Sequence, residues 1–265
     1  PYVDIDMHPK EKDAYLDAIF FSPHKFLGGP GTSGVLIFNK KLYKNLVPDN
    51  PGGGTVSYTN PWGGHDYFDD VETREDGGTP AFMQTIKIAL CVQLKEKMGT
   101  DKIHDREEEI NAKLFDCLES IKNLTVLAPN HKHRLGIFSF YVTDVHFNLI
   151  VKLLNDKFGI QTRGGCSCAG TYGHFLLNVD QQTSEAIEKQ IIEGCSVEKP
   201  GWVRLSIHPT ITDAEVDFIC DSLKAVCANV EDWKNDYEYD AAQNDYKHKS
   251  HTSIEKELVK KWFAN

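Results

Sequence analysis

The stretch from Ala18 to Phe38 constrains this chain more than any other. Two apolar runs of strand length, Ala18 to Phe21 and Val35 to Phe38, flank a polar, glycine-rich corner that carries one lysine, Lys25. Their composition predicts a pair of buried strands. An amine at the end of a buried strand sits in low dielectric, which disfavours its charged form. A neutral lysine amine is a nucleophile that condenses with an aldehyde. Gly28, Gly29, Gly31 and Gly34 would let backbone approach a bulky group with no Cβ in the way. The competing reading is a plain strand–turn–strand corner with an exposed lysine, because Gly-Pro-Gly clusters mark turns.

Ser22-Pro23-His24-Lys25, followed by Gly28-Gly29-Pro30-Gly31 and an apolar strand, resembles the cofactor-lysine segment of class V aminotransferase-like enzymes. These are fold-type I enzymes that use pyridoxal 5'-phosphate (PLP). The segment is most similar to the cysteine desulfurase and selenocysteine lyase branch. The resemblance implies that Lys25 is the Schiff-base lysine and that Ser22 and His24 contact the cofactor phosphate. It implies an α/β fold: part of a large PLP-binding domain over 1–99, then a small C-terminal α/β domain over 100–265 with a charged tail at 230–265. Members of this group carry a large segment ahead of the lysine. The chain opens on Pro1-Tyr2-Val3-Asp4, which reads as the middle of a fold. It is therefore expected to be an N-terminally truncated piece that binds PLP weakly or not at all. The family's aspartate for the pyridine nitrogen is expected upstream, and Asp4 and Asp6 are not assigned that role.

Arg74-Glu75-Asp76-Gly77-Gly78-Thr79-Pro80 resembles the family's Arg-x-x-x-Gly-Thr-Pro segment. There the threonine reaches the cofactor phosphate of the neighbouring subunit, so Thr79 inherits that role and a homodimer is implied. Thr79 also reads as a helix N-cap with Pro80 in the first helical position, and helix N-termini bind phosphate. Pro51-Gly52-Gly53-Gly54-Thr55 lacks the Gly-Lys-Ser/Thr of a nucleotide-binding loop and reads as a mobile glycine loop.

Thr162-Arg163-Gly164-Gly165-Cys166-Ser167-Cys168-Ala169-Gly170 reads as a loop after a strand over Ile160 to Thr162. An arginine beside cysteines on a glycine-rich loop is what a reactive thiol needs, since nearby positive charge favours the nucleophilic thiolate. Inert structural cysteines are one alternative. Metal binding with His174 and Cys195 is another, although Cys-x-Cys lacks the usual zinc-knuckle spacing. The segment resembles the Arg-x-Gly-x-x-Cys-Ala loop of the desulfurase branch. That aligns Arg163 with the family's arginine and Cys168 with its sulfur-accepting cysteine. Cys166 is not usually cysteine in that branch; a Cys-x-Cys here is similar to molybdenum-cofactor sulfurases, and Cys166 becomes a candidate relay or resolving thiol. Trp202-Val203-Arg204-Leu205-Ser206 reads as a strand whose arginine needs an anionic partner. The family's Arg-x-Ser implies that Arg204 forks onto the substrate α-carboxylate; an ordinary edge-strand arginine is the alternative. The residues from Tyr172 to Gly201 exceed the usual interval and could lid the pocket or alter the substrate.

Elsewhere, Glu11 to Leu16 reads as a short helix, and Ala81 to Met98 as a buried helix, apolar nearly all round and stopped by Gly99. Thr100 caps a polar helix with Ile103, Ile110, Leu114, Cys117, Leu118 and Ile121 on one stripe. Leu124 to Leu127 and Gly136 to Val142 read as strands, and His146 to Lys157 as a helix ended by Gly159. Thr212 and Glu215 form a capping box opening a helix with Val216, Ile219, Cys220, Leu223, Val226 and Cys227 on one face. Cys91, Cys117, Cys220 and Cys227 are core filler. Val230 to His251 reads as a surface excursion. Thr252 to Glu255 is a second capping box, and Ile254, Leu258 and Trp262 predict a terminal helix docked on the domain.

A formal charge of −10 over 265 residues argues against nucleic acid or anionic membrane partners. No apolar run approaches the ~20 residues of a membrane span. Seven irregularly spaced cysteines fit a reducing compartment such as the cytoplasm rather than a disulfide framework. The function the resemblance implies is removal of sulfur or selenium from a cysteine-type amino acid, giving alanine and an enzyme persulfide, with a possible sulfur-acceptor protein downstream. A PLP aminotransferase or lyase without sulfur transfer, and a non-catalytic scaffold, are the alternatives.

Overall fold

The computed structural model describes residues 2–250 and 254–264. The chain divides into two compact units, residues 1–104 and 105–265. In the first, β1 (Ala18–Phe21) pairs antiparallel with β2 (Val35–Phe38). A hairpin of β3 (Val56–Thr59) and β4 (His65–Tyr67) follows, then α1 (Val71–Glu75), α2 (Phe82–Met98) and the start of α3 (Thr100–Glu119). The hairpin was not foreseen, although alternating Val-Ser-Tyr-Thr and a Gly63-Gly64 turn carried its signal. Glu11 to Leu16 forms only a turn, with Asp13 at φ 67°.

Three burial expectations fail in this unit. β1 and β2 form an isolated two-stranded ribbon, so they are not buried: Phe20 is 83% exposed. α2 forms and stops at Gly99 as expected, yet Phe82, Met83, Ile86 and Leu90 are exposed and only Cys91 and Lys95 are buried. Thr79 is not the cap of α2. The helix opens two residues later behind Ala81, with no side-chain cap.

The second unit holds the core. Its sheet runs β5 (Leu124–Val126), β6 (Ile137–Val142), β8 (Trp202–Ser206), β7 (Arg163–Gly165), all antiparallel. The expected strand over Ile160 to Thr162 lies at Arg163–Gly165 instead, so β7 runs into the cysteine segment. The register places Phe138 opposite Leu205, Phe140 opposite Val203, and Gly164 opposite Val203. Side chains alternate along a strand, so these residues share one face. It packs with the buried stripes of α3, α4 (Phe147–Phe158) and α7 (Asp213–Trp233). The stripes foreseen for α3 and α7 are those observed, and Cys117, Cys220 and Cys227 lie in this core. The Thr212–Glu215 capping box forms with both reciprocal hydrogen bonds. The opposite face of the sheet carries Ser139, Arg163, Trp202 and Arg204.

Between β7 and β8 lie α5 (Gly170–Leu176) and α6 (Gln181–Ile192). After α7, residues 237–248 are not a loose excursion: β9 (Tyr237–Asp240) and β10 (Asp245–His248) form a hairpin whose Asn244 carbonyl accepts a hydrogen bond from Asn148 in α4. The terminal α8 (Ile254–Trp262) forms, but Leu258 and Trp262 are exposed rather than docked; the capping box expected at 252–255 lies outside the described residues. No described helix is long and apolar enough to cross a membrane.

Candidate active site

The lysine corner is a tight turn. A single 3-10 turn spans Pro23–Lys25, and amide hydrogen bonds from Phe26 to Pro23 and from Gly29 to Phe26, each 2.9 Å, fold the chain back on itself. A Cβ on Gly29 would stand 2.0 Å from the Pro23 carbonyl oxygen, so only glycine fits there. Lys25 is exposed, not held in low dielectric, because the ribbon beneath it is open to solvent. Its ammonium has no hydrogen-bond or ion-pair partner among the described residues, and neither do the side chains of Ser22, His24 and Thr79. These four side chains are therefore polar groups left unengaged among the described residues.

The glycine loop at 51–55 is fastened rather than mobile. Thr55 is fully buried and its hydroxyl donates to the Gly52 carbonyl at 2.7 Å. The Gly78 amide donates to the Gly53 carbonyl at 2.8 Å, and a Cβ on Gly77 would meet the Asn50 carbonyl oxygen at 2.8 Å. The two glycine segments therefore brace each other and fix the backbone that precedes Thr79. Arg74 is buried and structural: its guanidinium donates to the carbonyls of Phe68 (2.7 Å) and Asn45 (3.0 Å) and lies over the Tyr43 ring. Asp4 accepts from Lys95 Nζ and Thr100 Oγ1, each at 2.7 Å, so that carboxylate already has a job. The Lys95 bond is the main reason its pKa lies below the ordinary aspartate value.

In the second unit, β7 delivers Arg163 and then the thiols. Gly165 has φ 99°, and Ser167 (51°) and Cys168 (65°) both occupy the left-handed region. Such conformations cost about 1–2 kcal/mol each for a residue with a Cβ. The turn is closed by the Ala169 amide donating to the Cys166 carbonyl at 2.9 Å. The strained turn presents Cys168 to solvent, and Arg163 Nη2 donates to its Sγ at 3.3 Å. Cys166 points elsewhere. Its thiol donates to the Pro200 carbonyl at 2.8 Å, and burial pushes its pKa up, with Lys199 opposing.

Arg204 lies on β8, an interior strand, so the edge-strand reading fails. It stands directly opposite Arg163 across the β7–β8 ladder. Like charges in that position repel. The Arg204 Nε is occluded and has no hydrogen-bond partner among the described residues. Paired arginines with an unmatched donor on one of them leave this face of the sheet open to an anionic partner, and a carboxylate is the group that suits the guanidinium fork.

Gly173 of α5 packs on this face: a Cβ there would lie 3.1 Å from the Trp202 ring and 3.2 Å from Cys166 Sγ. His174 donates from Nδ1 to the Gly170 carbonyl (2.8 Å), leaving Nε2 to accept from Ser184 (2.9 Å); rather than ligating a metal, it ties α5 to α6. A cavity of about 720 Å³ opens beside the cysteine turn, lined by Arg163, Cys166, Cys168, Glu188, Lys199 and Asn244, among others. Glu188, Lys199 and Asn244 were not singled out in the sequence; nothing in their local pattern marks them. The expected residues thus form two groups: Ser22, His24, Lys25 and Thr79 in the first unit, and Arg163, Cys166, Cys168 and Arg204 in the second.

The sequence profile of the aminotransferase class-V family matches residues 5–219. A protein of Staphylococcus aureus (strain N315) named probable cysteine desulfurase is 28% identical over 169 residues, which cover 64% of this chain and 39% of that protein. A like-named protein of Staphylococcus epidermidis matches to the same extent. Among solved structures, the apo cysteine desulfurase of Thermococcus onnurineus NA1 superposes with a TM-score of 0.61 at 24% identity, covering 80% of this chain and 47% of that one. Escherichia coli cysteine desulfurase CsdA gives 0.59 at 19% identity, covering 81% and 47%. At these identities the structures show a shared fold. The chain spans less than half the length of the relatives it matches.

Proposed function

Because the chain belongs to the aminotransferase class-V family, we propose that it is the part of a PLP-dependent cysteine desulfurase that carries the cofactor lysine, the substrate-carboxylate arginines and the sulfur-accepting thiol. The observation that carries this reading is the position of Arg163. It faces Arg204 across the ladder while donating to Cys168 Sγ at 3.3 Å, which joins an anion site to a nucleophile. An amino acid whose carboxylate occupies the arginine pair would have its side chain within reach of that thiol. The curated relatives named as cysteine desulfurases support the same chemistry.

The unengaged Lys25 amine, with Ser22, His24 and Thr79, fits an aldehyde cofactor bearing a phosphate. PLP, when bound, supplies the electron sink that makes the substrate α-proton removable. Lys25 tethers the group and, once released, takes and returns that proton. Arg204 and Arg163 orient the carboxylate. The Cys168 thiolate attacks the substrate sulfur, the carbon–sulfur bond breaks with its electron pair left on carbon, and the sulfur stays on Cys168 as a persulfide. Cys168 is favoured over Cys166 because the latter thiol is held by Pro200. A homodimer is the expected assembly, and the exposed apolar residues of α2 suit burial in one.

The test uses the protein at its full length. Cysteine should produce alanine and one added sulfur atom on Cys168 by peptide mass spectrometry. Lys25→Ala should abolish both, and Cys168→Ala should abolish persulfide formation. Undiminished alanine production from cysteine in Cys168→Ala would instead favour a lyase of the same fold without thiol transfer.

A further inference from the structure

A separate cavity of about 230 Å³ lies against α3 and shares no residue with the cysteine turn or its cavity. Glu108, Asn111, Phe115 and Asp116 line one side of it, spaced as one face of a helix. Lys132 and His133, from the loop ahead of β6, line the other. That loop is a fastened arch. The Arg134 guanidinium donates to the carbonyls of Leu127, Ala128 and His131, and lies over the Phe115 ring at 4.9 Å. Asn111 Nδ2 donates to the Arg134 carbonyl and ties the arch to α3. Asn111 is 2% exposed, and its Oδ1 has no hydrogen-bond partner among the described residues. Turning the amide over would set that oxygen against the Arg134 carbonyl, so the orphan is an acceptor. One turn earlier, Glu108 Oε1 is unpartnered in the same way, while its Oε2 meets His133 Nδ1 at 3.1 Å. The Asp116 carboxylate has no hydrogen-bond or ion-pair partner among the described residues either. The nearby lysines are engaged elsewhere: Lys113 pairs with Asp217 at 2.6 Å and Lys132 with Glu119 at 3.0 Å. Among the described residues no His, Cys, Asp and Glu side chains are grouped as metal ligands, so the wanted cation is an organic one.

We propose that this cavity binds an alkylguanidinium ion, whose N–H groups donate to Asn111 Oδ1 and Glu108 Oε1 while Asp116 supplies a second negative charge. A buried acceptor without a donor is costly, so a ligand that brings donors gains what the chain forgoes. Both oxygens are shut off from bulk water, and a ligand must shed its own hydration to reach them. Guanidinium is more weakly hydrated than ammonium and spreads five N–H donors over a plane, which reaches acceptors on separate side chains. The volume lies below that of drug-sized sites and suits a head group with a short stem against Ala112 and Phe115. Entry is not barred, because the His133 side chain is 93% exposed and exposed side chains turn within nanoseconds. The proposal does not depend on the desulfurase reading.

The test titrates the full-length protein with propylguanidinium and with propylurea, its uncharged counterpart of nearly the same shape, by ligand-observed NMR. Propylguanidinium should bind roughly tenfold more tightly, the effect of one charge-assisted contact. Asp116→Asn, at an exposed position, and Glu108→Gln should each weaken it several-fold and leave propylurea unmoved. Lys132→Gln, which removes a positive charge from the wall, should strengthen it; a variant that merely loosened the fold would not. Nα-acetylargininamide distinguishes the sources of the group. Binding as tight as that of propylguanidinium would support an arginine side chain of a partner protein as the occupant, and its exclusion would support a free guanidine compound. Equal affinity for propylguanidinium and propylurea, or a propylguanidinium affinity untouched by Asp116→Asn and Glu108→Gln, would overturn the assignment.

Discussion

Replacing Gly164 with alanine tests whether the close approach of α4 to β7 sets the position of the arginine and thiol turn. A Cβ at this site would stand 2.2 Å from Asn148 Oδ1 and 2.8 Å from Phe147 Cδ2. Both are well inside the ~3.5 Å at which such atoms attract. Neither neighbour has free room. Asn148 is held through its hydrogen bond to the Asn244 carbonyl. Phe147 is 7% exposed and is boxed on its other side by Gly201, whose Cβ would fall 2.4 Å from the ring. β7 cannot back away without losing its ladder to β8. Overpacking of this kind costs about 2 kcal/mol. With a urea slope of roughly 1–3 kcal/mol per molar, the unfolding midpoint should fall by about 1 M. Phe147→Ala, destabilising on its own, removes one of the two clashes, so Gly164→Ala should cost at least about 0.5 kcal/mol less in that background. A Gly164→Ala variant within about 0.5 kcal/mol of the parent, or a cost unchanged by Phe147→Ala, would refute the packing argument.

Two further outcomes follow from the same unit. His146 caps α4 by accepting the Asn148 amide at Nδ1 (3.1 Å), while its Nε2 is occluded with no hydrogen-bond partner among the described residues. Burial lowers its pKa, opposed by Asp245. A folded-state pKa below the unfolded one gives stability that is present above the unfolded value and lost as pH falls through the folded value. Stability should therefore drop as pH falls below the ordinary histidine value of about 6.5, and His146→Asn, which keeps a cap, should flatten that drop in a denaturation series; an equal pH slope in the variant would count against it. For the thiols, iodoacetamide should label Cys168 well before Cys166, because Cys166 is half-buried and donates to the Pro200 carbonyl. Peptide mass spectrometry reads the order, and labelling of Cys166 first would reverse the assignment of the nucleophile.

The parts of the fold that were legible in the sequence are those whose signal is local. The Thr212–Glu215 box, the Gly99 and Gly159 stops, and the stripe from Ile110 to Ile121 each need only a few neighbouring residues to be read, and each forms as expected. The cysteine segment was read one element out of place. Arg163-Gly164-Gly165 has almost no strand propensity and is a strand only because β8 offers it a ladder. The residues 237–248 were misread for a related reason. Charge and asparagine hide a Tyr-x-Tyr alternation whose ring face packs against His146 on α4, with Tyr239 and Tyr246 both near 5.5 Å from that ring.

Burial was the property least open to prediction, and the two units show why. Periodicity states which face of an element is apolar; it does not state what covers that face. In the second unit the chain supplies its own cover, since α3, α4 and α7 all turn their stripes to the same face of one sheet. In the first unit the same kind of signal, in β1, β2 and α2, is only partly covered by the described residues: Ile19 and Phe21 are half-buried, while Phe20, Leu36, Met83 and Ile86 stand in solvent. The Lys25 amine inherits that difference. Its environment is set by whatever lies over the ribbon, whereas the environment of Cys168 is set by Arg163, five residues away on the same strand and turn. The arginine–thiol geometry is thus a property of this stretch of chain itself. The cofactor chemistry proposed for Lys25 would depend on surfaces that the first unit leaves open, so variants at Arg163 should alter Cys168 whether or not a cofactor is bound, and variants at Lys25 should not.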